Sequence, residues 1–382
     1  MSGERPPVIW HATMGAAVNL GSEPMVGMQW INRLRQHGPV QSIIAGIFDD
    51  SDFLPVDQRA GIHFIDTGHI SSVEFAGNPL RHIRRWWFGV RAHLKAHARP
   101  QDRLFITAPA AIWMLPWTVG LPIPRDRIFF GPMGADWLPR ALRASRWPGM
   151  RNMRTAGAIA AWRLFAPWLP ANLALRAPFD GFGRWIGPRF RLLGAMPEVE
   201  PPPMQMAAGD RAAQCVALLY DARPRKRFWQ SLGLAIALAA EQGLPVSVVG
   251  APAEAQAAIA AQASAAHVPL EQVARMTREA FQAWLIAGRP DFVSLSASEG
   301  VSSTLIEALL AGCRLHVHDV GGIHWLIGPG IEQRERLWNG ASVWSFRWDA
   351  GSLQHYAENA HAAFEGLLAA LLPAPPGARA AA

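Results

Sequence analysis

Short apolar runs alternate with segments of helical period along the first half of the chain. The apolar runs predict strands at residues 8–10, 42–47, 63–66, 104–107 and 128–130. Apolar residues three or four positions apart predict helices at 23–37 and 81–98, the first with Ser22 as its N-cap. Alternating strands and helices are typical of a parallel sheet with helices packed against it. The first half is therefore predicted to form an α/β domain.

The same alternation begins again in the second half. Strands are predicted at 215–220, 246–250, 273–276, 292–295 and 315–318, and helices at 228–242, 253–266, 277–287, 305–311 and 352–372. Residues 198–203 are polar and rich in proline, as linkers are. The pattern predicts two doubly wound α/β domains, at 1–197 and 211–350, joined by a linker at 198–210. Residues 351–382 are predicted to form a helix that could pack back against the first domain, followed by a loose tail.

Composition supports a folded chain of this size. Of the 382 residues, 50% are hydrophobic and 17% are charged, which suits two sizeable cores. The most apolar stretches, at 108–124 and 156–171, are short or interrupted by proline and arginine, so no transmembrane helix is predicted. The first residues lack a signal-peptide pattern, and a cytoplasmic location is expected. The two cysteines, Cys215 and Cys313, have neither metal-site spacing nor a disulfide framework.

Charge narrows the choice of partners. The net charge is +7, and arginine supplies nearly all of it, because Lys95 and Lys226 are the only lysines. The basic and aromatic segment 79–88, together with 17 tryptophans in the chain, suits docking on an anionic membrane surface. The alternative is that these tryptophans form core and the arginines a solvated face. No sequence signature of a nucleic-acid-binding module is present, and no nucleic-acid partner is expected.

Two glutamates form the most informative motif. Glu299 and Glu307 lie eight residues apart, across a predicted loop and the start of a helix that follows a buried strand. Loops after the strands of a parallel sheet meet at its ligand-binding edge, and free N–H groups at a helix start favour a diphosphate. A carboxylate one turn into the helix can accept hydrogen bonds from sugar hydroxyls. The alternative is helix capping, since 296–299 and 304–307 both fit the capping-box pattern.

Three further blocks accompany this motif. A glycine-bearing block, GSEPMVG at 21–27, follows the first strand, and a second, GPMGAD, occupies 131–136. The loop at 221–227 carries Arg223, Arg225 and Lys226, which suit phosphate binding, although it also fits a solvated basic turn. After the helix of Glu307 come a strand and the Gly321-Gly322 turn.

Together the four blocks resemble the retaining glycosyltransferases of the GT-B fold, family-4 type, over about residues 8–327. The E-x7-E spacing and the blocks that are similar to G-S-E-P-x-V-G and G-P-V-G-G-G carry the resemblance. It implies two Rossmann-like domains that face a cleft, and transfer of a sugar from a nucleotide-diphosphate sugar with retained anomeric configuration. The implied acceptor is a lipid-linked or polysaccharide precursor at the inner face of the membrane. Neither a cofactor nor a metal ion is expected.

The resemblance also implies roles for individual residues. Lys226 would stabilise the leaving diphosphate and Glu299 would hold the transferred sugar, which makes these two the catalytic candidates. Glu307 would bind the ribose. The remaining candidates fall into a donor-binding group, Gly300, Val301, Ser302, Ser303, Thr304, Arg223 and Arg225, and an acceptor-side group, Gly21, Ser22, Glu23, Gly131 and Gly134.

The chain departs from the family pattern at several positions. Tyr220-Asp221 stands where the family has Gly-Arg, Ala135 replaces a glycine, and residues 106–109 lack the histidine of many relatives. These departures motivate an alternative function, a catalytically inactive binding or scaffold subunit with the same fold. His316 and His318 alternate along a predicted strand and share a face, but the sequence suggests no further ligand that would complete a metal site.

Overall fold

The computed structural model describes fifteen parts of the chain, and all structural statements below concern them: residues 6–14, 22–37, 40–45, 59–66, 79–108, 112–133, 160, 164–175, 191–195, 212–222, 226–296, 302–318, 323–326, 331 and 333–372. The chain divides into two compact units. The first comprises Met1–Glu198 together with His361–Ala382, and the second comprises Val199–Ala360.

The first unit contains a seven-stranded sheet in the order β3-β2-β1-β4-β5-β6-β7. Every neighbouring pair of strands is parallel. The strands are β1 Ile9–Thr13, β2 Val40–Ala45, β3 Ile62–Ile65, β4 Arg103–Ala108, β5 Ile128–Met133, β6 Asn172–Leu175 and β7 Arg191–Ala195. The first five correspond to the predicted strands, whereas β6 and β7 lie in a segment where no strand was predicted.

Two helices pack on this sheet, α1 Ser22–Arg35 and α2 Pro79–His97. The apolar face of α2 enters the main core, where Trp86, Trp87 and Leu94 are buried. Asp102 stabilises the start of β1 by accepting hydrogen bonds from the Val8 amide and from the Trp10 indole, each at 3.0 Å. Trp86 and Trp87 are therefore core residues, as the alternative to membrane contact expects, whereas Trp168 and Trp229 are exposed.

The second unit contains a seven-stranded sheet in the order β10-β9-β8-β11-β12-β14-β13. The five strands from β10 to β12 are parallel, whereas β14 pairs antiparallel with both β12 and β13. The strands are β8 Val216–Leu219, β9 Val246–Val249, β10 Leu270–Val273, β11 Asp291–Ser294, β12 Arg314–His318, β13 Gln333–Trp338 and β14 Ala341–Phe346. The strand predicted at 273–276 was placed too late, and the hairpin of β13 and β14 was not predicted.

The helices of the second half follow the predicted positions closely, except α7, which was not predicted. They are α3 Phe228–Gln242, α4 Ala253–Ala265, α5 Arg278–Gly288, α6 Ser303–Leu310, α7 Ile323–Leu326 and α8 Ala350–Leu371. α3 is apolar along most of its length and ends at Gly243, whose positive φ of 67° forms the C-cap. The C-cap of α6 is Ala311; the next residue, Gly312, has a positive φ of 81°, and the Cys313 amide donates back to the Ala308 carbonyl.

The last helix, α8, belongs to both units. Its residues up to Ala360 group with the second unit, and those from His361 onward group with the first. Leu367, Leu368 and Leu371 are buried in one core cluster with Trp30 and Phe105 of the first unit. The predicted return of the C-terminal helix to the first domain is therefore confirmed. In the described part of the chain, every helix is too short or too polar to cross a membrane.

Candidate functional site

The strand order of the second sheet places two sequence motifs side by side. The order reverses between β8 and β11, because β9 and β10 lie on one side of that pair and β12 lies on the other. In open α/β sheets, ligands bind in the crevice that opens at the carboxyl ends of such strands. Lys226 follows β8, and the loop that contains Glu299 follows β11. The two predicted catalytic residues therefore come from the segments that leave the two central strands.

The segment between β8 and α3 carries positive charge at this edge. Lys226 is half-buried in a short 3₁₀ turn directly before α3. Arg223 and Arg225 lie outside the described residues. Arg227 has a left-handed backbone with φ of 50° at the N-cap of α3, a conformation that is uncommon for a residue with a side chain. Two adjacent cationic residues thus precede the helix.

Arg227 makes a contact with His318 that the sequence pattern did not predict. The Arg227 guanidinium nitrogen Nη1 lies 3.4 Å from Nδ1 of His318, the last residue of β12. Burial, and secondarily the charge of Arg227, lower the pKa of His318. A neutral imidazole nitrogen can accept a hydrogen bond from the guanidinium. Because the contact joins residues 91 positions apart, no local sequence pattern signals it.

The first turn of α6 provides backbone donors at the same edge. Glu299, Gly300 and Val301 lie outside the described residues. Ser302 is the N-cap of α6 in an extended conformation, and its carbonyl accepts from the Ile306 amide at 3.1 Å. The amides of Ser303 and Thr304 are among those that a helix start leaves without an intrahelical partner. They carry the partial positive charge that attracts anions to helix N-termini.

Glu307 lies one turn into α6 and is almost fully buried, with 5% of its surface exposed. Its Oε1 accepts from Arg278 Nε at 2.5 Å and from Gln282 Nε2 at 3.3 Å, and both partners are residues of α5. Capping by Glu307, the alternative to a ligand role, is wrong for this residue. Ser302 occupies the N-cap position, so Thr304 lies inside the helix. The carboxylate is instead held in place by the neighbouring helix.

In the first unit, Gly131 lies where the neighbouring strand leaves no space for a side chain. Gly131 lies in β5 with φ of 138°, and a Cβ at this position would approach the Ala174 carbonyl oxygen of β6 to 2.2 Å. A close approach of the neighbouring strand therefore explains this glycine.

Ser22 and Glu23 open α1, so Ser22 is the first helical residue rather than the N-cap. Gly21 and Gly134 lie outside the described residues.

His11 is a core residue of the first sheet. It is completely buried in β1, and its Nε2 lies 3.0 Å from the Thr107 hydroxyl in β4. Burial lowers the pKa of His11 to about 3, so the ring is neutral at ordinary pH. Thr107 belongs to the segment where the family histidine is missing from the sequence. His11 fills the adjacent space as a packed, neutral side chain.

His316 and His318 have separate partners, although they lie on the same face of β12. His316 contacts Ser345 Oγ through Nδ1 at 2.7 Å and Asp291 Oδ2 through Nε2 at 3.4 Å. Burial raises the pKa of Asp291, but the hydrogen bond and charge of His316, the hydrogen bond from Gln242 and the charge of Arg314 together outweigh burial, and the net shift is downward. Among the described residues, no group of three metal-ligating side chains is arranged to hold a metal ion. Cys215 and Cys313 are free and buried.

Comparison with known proteins identifies the fold. No protein-family model and no curated protein sequence matches the chain. Among solved structures, the chain is similar to sucrose-phosphate synthase from Thermosynechococcus elongatus, with 13% identity, a TM-score of 0.55, and coverage of 96% of this chain and 95% of that chain. It is also similar to an α,α-trehalose-phosphate synthase (UDP-forming) from Burkholderia vietnamiensis, with 13% identity, a TM-score of 0.53, and coverage of 97% and 96%.

A third similar structure contains a ligand. It is the trehalose-6-phosphate protein of E. coli bound with UDP-2-fluoro glucose, with 10% identity, a TM-score of 0.50, and coverage of 95% of both chains. These structures are GT-B glycosyltransferases with Rossmann-like domains. At this level of identity, likeness over nearly the whole length shows the fold. The predicted architecture of two Rossmann-like domains is thereby confirmed.

Proposed function

We propose that this chain is a glycosyltransferase that moves a sugar from a nucleotide-diphosphate sugar to an acceptor, with retention of anomeric configuration. One observation carries the proposal. In a chain with the GT-B fold, the segments after the two strands that flank the reversal of strand order supply the lysine Lys226 and the N-terminus of α6. Both features favour a diphosphate. The E-x7-E spacing supports the assignment to the family-4 type and to retaining chemistry.

The diphosphate lies against the cationic segment before α3. Lys226 neutralises charge that develops on the leaving diphosphate, an electrostatic contribution that is large in most enzymes. Arg227 supplies the guanidinium that the family places where this chain has Asp221, and His318 holds it in position. Arg223 and Arg225 add to the positive charge of the same loop. The amides at Gly300, Val301 and Ser302 to Thr304 donate to the phosphate oxygens.

The two glutamates bind different parts of the donor, the sugar and the ribose. Glu299 accepts hydrogen bonds from hydroxyls of the transferred sugar and so orients the anomeric carbon. Glu307 accepts from the ribose hydroxyls. Arg278 and Gln282 both bind Oε1 of Glu307, which fixes the rotamer of the carboxylate before the nucleotide arrives. A preorganised acceptor avoids an entropic cost at binding.

Replacing Glu307 with glutamine is expected to remove the preference for an intact ribose. The measurement is calorimetric titration of a nucleoside diphosphate and of its 2′,3′-dideoxy analogue, over a panel of bases. Wild-type protein should bind the intact nucleotide roughly tenfold or more tightly, because hydrogen bonds to a charged group are the stronger class. In Glu307→Gln the two affinities should converge.

Two comparisons make this result specific. Glu271→Gln, which alters another hydrogen-bonded glutamate of the same unit, should keep the wild-type preference; Ser247 Oγ donates to Glu271 at 2.7 Å. If Glu307 served only the ion pair with Arg278, Glu307→Gln would lower the affinity for both nucleotides by the same factor. That result would contradict the ribose assignment. Failure of every nucleoside diphosphate to bind wild-type protein would overturn the proposed function as a whole.

The acceptor is proposed to be a lipid-linked or polysaccharide precursor at an anionic membrane surface on the cytoplasmic side. The exposed face of α2 supports this part of the proposal. Leu80 and Phe88 are 60% and 56% exposed, and Arg81, Arg84 and Arg85 are exposed beside them. The Arg84 guanidinium lies 5.4 Å from the centre of the Phe88 ring. Apolar and cationic side chains on one helix face suit the headgroup region of anionic lipids.

The double variant Arg84→Gln/Arg85→Gln is expected to reduce flotation with liposomes that contain anionic lipid. Each basic residue near such a surface contributes about 1 kcal/mol, so the loss should approach roughly tenfold to 30-fold in partitioning. Arg334→Gln/Arg347→Gln removes the same charge from the other unit and should float like wild type. Absence of flotation by wild-type protein with either neutral or anionic liposomes would leave a soluble acceptor in place of the membrane-bound one.

A further inference from the structure

Three polar side chains contact one another in the sheet of the second unit, outside the proposed donor site. They are Asp291 of β11, His316 of β12 and Ser345 of β14. Asp291 and His316 are each 4% exposed, whereas Ser345 is half-buried. Burial of two groups that can carry charge needs compensation, which each of them finds in its neighbours within this series.

Strand register brings the three side chains to one face of the sheet. His316 lies directly opposite Ser345 in the antiparallel pair of β12 and β14. Asp291 lies opposite Arg314, which is two residues before His316 and therefore on the same side of β12. This side is the one that α3 covers, because Gln242 at the end of α3 donates to Asp291 Oδ2 at 3.0 Å.

The contacts orient the imidazole ring between a carboxylate and a hydroxyl. Ser345 Oγ lies 2.7 Å from His316 Nδ1, and His316 Nε2 lies 3.4 Å from Asp291 Oδ2. The carboxylate, which the lowered pKa of Asp291 keeps ionised, favours a proton on Nε2. Nδ1 is then left to accept from the Ser345 hydroxyl. The longer contact, to the carboxylate, is of the kind that tightens when substrate binds.

A cavity of about 600 Å³ opens onto the serine and the histidine of this series. The volume lies within the range of roughly 300–1,000 Å³ that is usual for small-molecule sites. Leu238, Phe346 and Trp348 are buried and contribute apolar surface to the lining. The Ser345 hydroxyl therefore lies beside a space that suits a small molecule with an apolar group.

The cavity opens at the far end of α3 from the proposed donor site. Gln242, which lines the cavity, ends α3, whereas Arg227 precedes that helix, whose length is roughly 22 Å. Arg314, another lining residue, begins β12, roughly 13 Å along the strand from His318 at its end. A nucleotide bound at Lys226 and α6 would leave this cavity open.

We infer that Ser345 is a nucleophile and that this cavity is a second catalytic site, which hydrolyses carboxylic esters with a small apolar acyl group. A serine hydroxyl becomes reactive when a histidine accepts its proton and a carboxylate orients that histidine. His316 and Asp291 supply these two functions here. The apolar part of the lining accommodates the acyl group. The inference does not rest on the proposed function.

The reaction needs only the ester and water. Ser345 Oγ attacks the carbonyl carbon while its proton passes to His316 Nδ1, and Asp291 stabilises the imidazolium. His316 then gives that proton to the alcohol oxygen as the bond from carbon to that oxygen breaks, which leaves the acyl group on Oγ. Water attacks the acyl carbon and gives a proton to His316, and this proton returns to Oγ as the carboxylic acid leaves.

Positive charge is available where the carbonyl oxygen becomes negative. Arg334 of β13 lies opposite Ser345 and lines the same cavity. An arginine keeps its charge whatever contacts it makes, so Arg334 favours negative charge on the carbonyl oxygen.

Two probes test this inference on the full chain. A fluorescent fluorophosphonate forms a covalent bond to activated serine hydroxyls, and p-nitrophenyl acetate reports ester hydrolysis. Both are applied to wild type, Ser345→Ala, His316→Gln, Asp291→Asn and Ser342→Ala. Ser342 is the other serine of β14 and is also half-buried, so Ser342→Ala is the matched control.

Wild-type protein should be labelled at Ser345, as peptide mass spectrometry shows, and should hydrolyse the ester. Ser345→Ala should lose the label and the hydrolysis, whereas Ser342→Ala should retain both. His316→Gln should slow labelling roughly 100-fold or more, the usual contribution of a general base. Asp291 is a positioning residue, so Asp291→Asn should lower kcat for the ester by a similar factor while KM changes little.

Wild-type protein that takes no label, or a label that persists in Ser345→Ala, would overturn the inference. An equal loss in Ser342→Ala would do the same, and labelling of Ser345 without ester hydrolysis would overturn the assignment to esters. If circular dichroism shows that His316→Gln or Asp291→Asn is unfolded, the comparison of the two serine variants decides. Ser345→Ala should bind a nucleoside diphosphate like wild type. If neither protein binds it, the proposed function fails and labelling still decides this inference.

Discussion

Replacing Lys226 with alanine is expected to lower kcat for sugar transfer roughly 100-fold to 1000-fold, the usual cost of removing one group that stabilises transition-state charge. Lys226 precedes α3 at the carboxyl edge of β8, where the proposed diphosphate lies. Charge on the leaving diphosphate increases as the glycosidic bond breaks, so the ammonium group matters most in the transition state. KM for the donor should change much less than kcat. The measurement is steady-state transfer from the donor that binds in the nucleotide panel.

The chain offers a matched control for this experiment. Lys95 is the only other lysine, and it is exposed on α2 of the first unit. Lys95→Ala should retain wild-type kcat, and Lys226→Arg should recover part of the activity because it keeps the charge while changing its geometry. Equal activity of Lys226→Ala and wild type, with unchanged nucleotide binding, would contradict the catalytic assignment. A protein without transferase activity in either form would support the scaffold alternative.

Replacing Gly131 with alanine is expected to destabilise the protein by about 3 kcal/mol or more, the range of severe overpacking and backbone strain. The new Cβ would lie 2.2 Å from the Ala174 carbonyl oxygen and 2.9 Å from its carbonyl carbon, at a φ of 138°. Because both obstacles are backbone or Cβ atoms of a paired strand, no side-chain rotation relieves the clash. Thermal unfolding should show a midpoint that is lower by roughly 6–12 °C.

Gly243→Ala separates strain from steric clash in this comparison. Gly243 also has a positive φ, of 67°, but a Cβ there would meet nothing within 4 Å. The left-handed conformation alone costs about 1–2 kcal/mol for a residue with a side chain. Gly243→Ala should therefore be less harmful than Gly131→Ala. Similar unfolding midpoints for the two variants would contradict the close approach of β5 and β6 as the cause.

The hydrophobic pattern predicted the helices α3 to α6 well because their signals lie within each helix. α3 combines a dense apolar face with Gly243 at its end, and the predicted and observed bounds agree. The hairpin of β13 and β14 was missed because the Gln333–Trp338 strand is largely exposed and has little hydrophobic alternation. A usable signal was present. Asn339-Gly340 forms the two-residue turn with φ of 49° and 75°, a pairing typical of tight hairpins.

The tryptophans of α2 show how periodicity separates two interpretations. Composition alone suggested a membrane-facing aromatic segment. The spacing of Ile83, Trp86, Val90 and Leu94, three or four residues apart, instead marks the buried face. Phe88 falls between these positions and is exposed. Composition therefore identified the helix that we propose for membrane contact, and only its period shows which of its side chains are exposed.

The candidate site was only partly predictable for a different reason. Lys226 and Glu307 belong to local motifs, so the sequence reveals them. Their surroundings depend on contacts between distant segments. Glu307 is held by Arg278, which lies 29 positions earlier, and Arg227 contacts His318 across three strands of the sheet order. Such partners follow from strand order and helix packing, which a single sequence does not encode in any short pattern.

The path of α8 has a consequence for how the protein is made. The first unit needs Leu367, Leu368 and Leu371 from the very end of the described chain to complete the core around Trp30 and Phe105. During synthesis on the ribosome, those residues emerge after the whole second unit has been translated. The amino-terminal unit must therefore wait in an incomplete state, with part of its apolar surface uncovered. A fragment that stops after residue 198 would retain that state permanently, so dividing this chain after residue 198 leaves the first unit without part of its core.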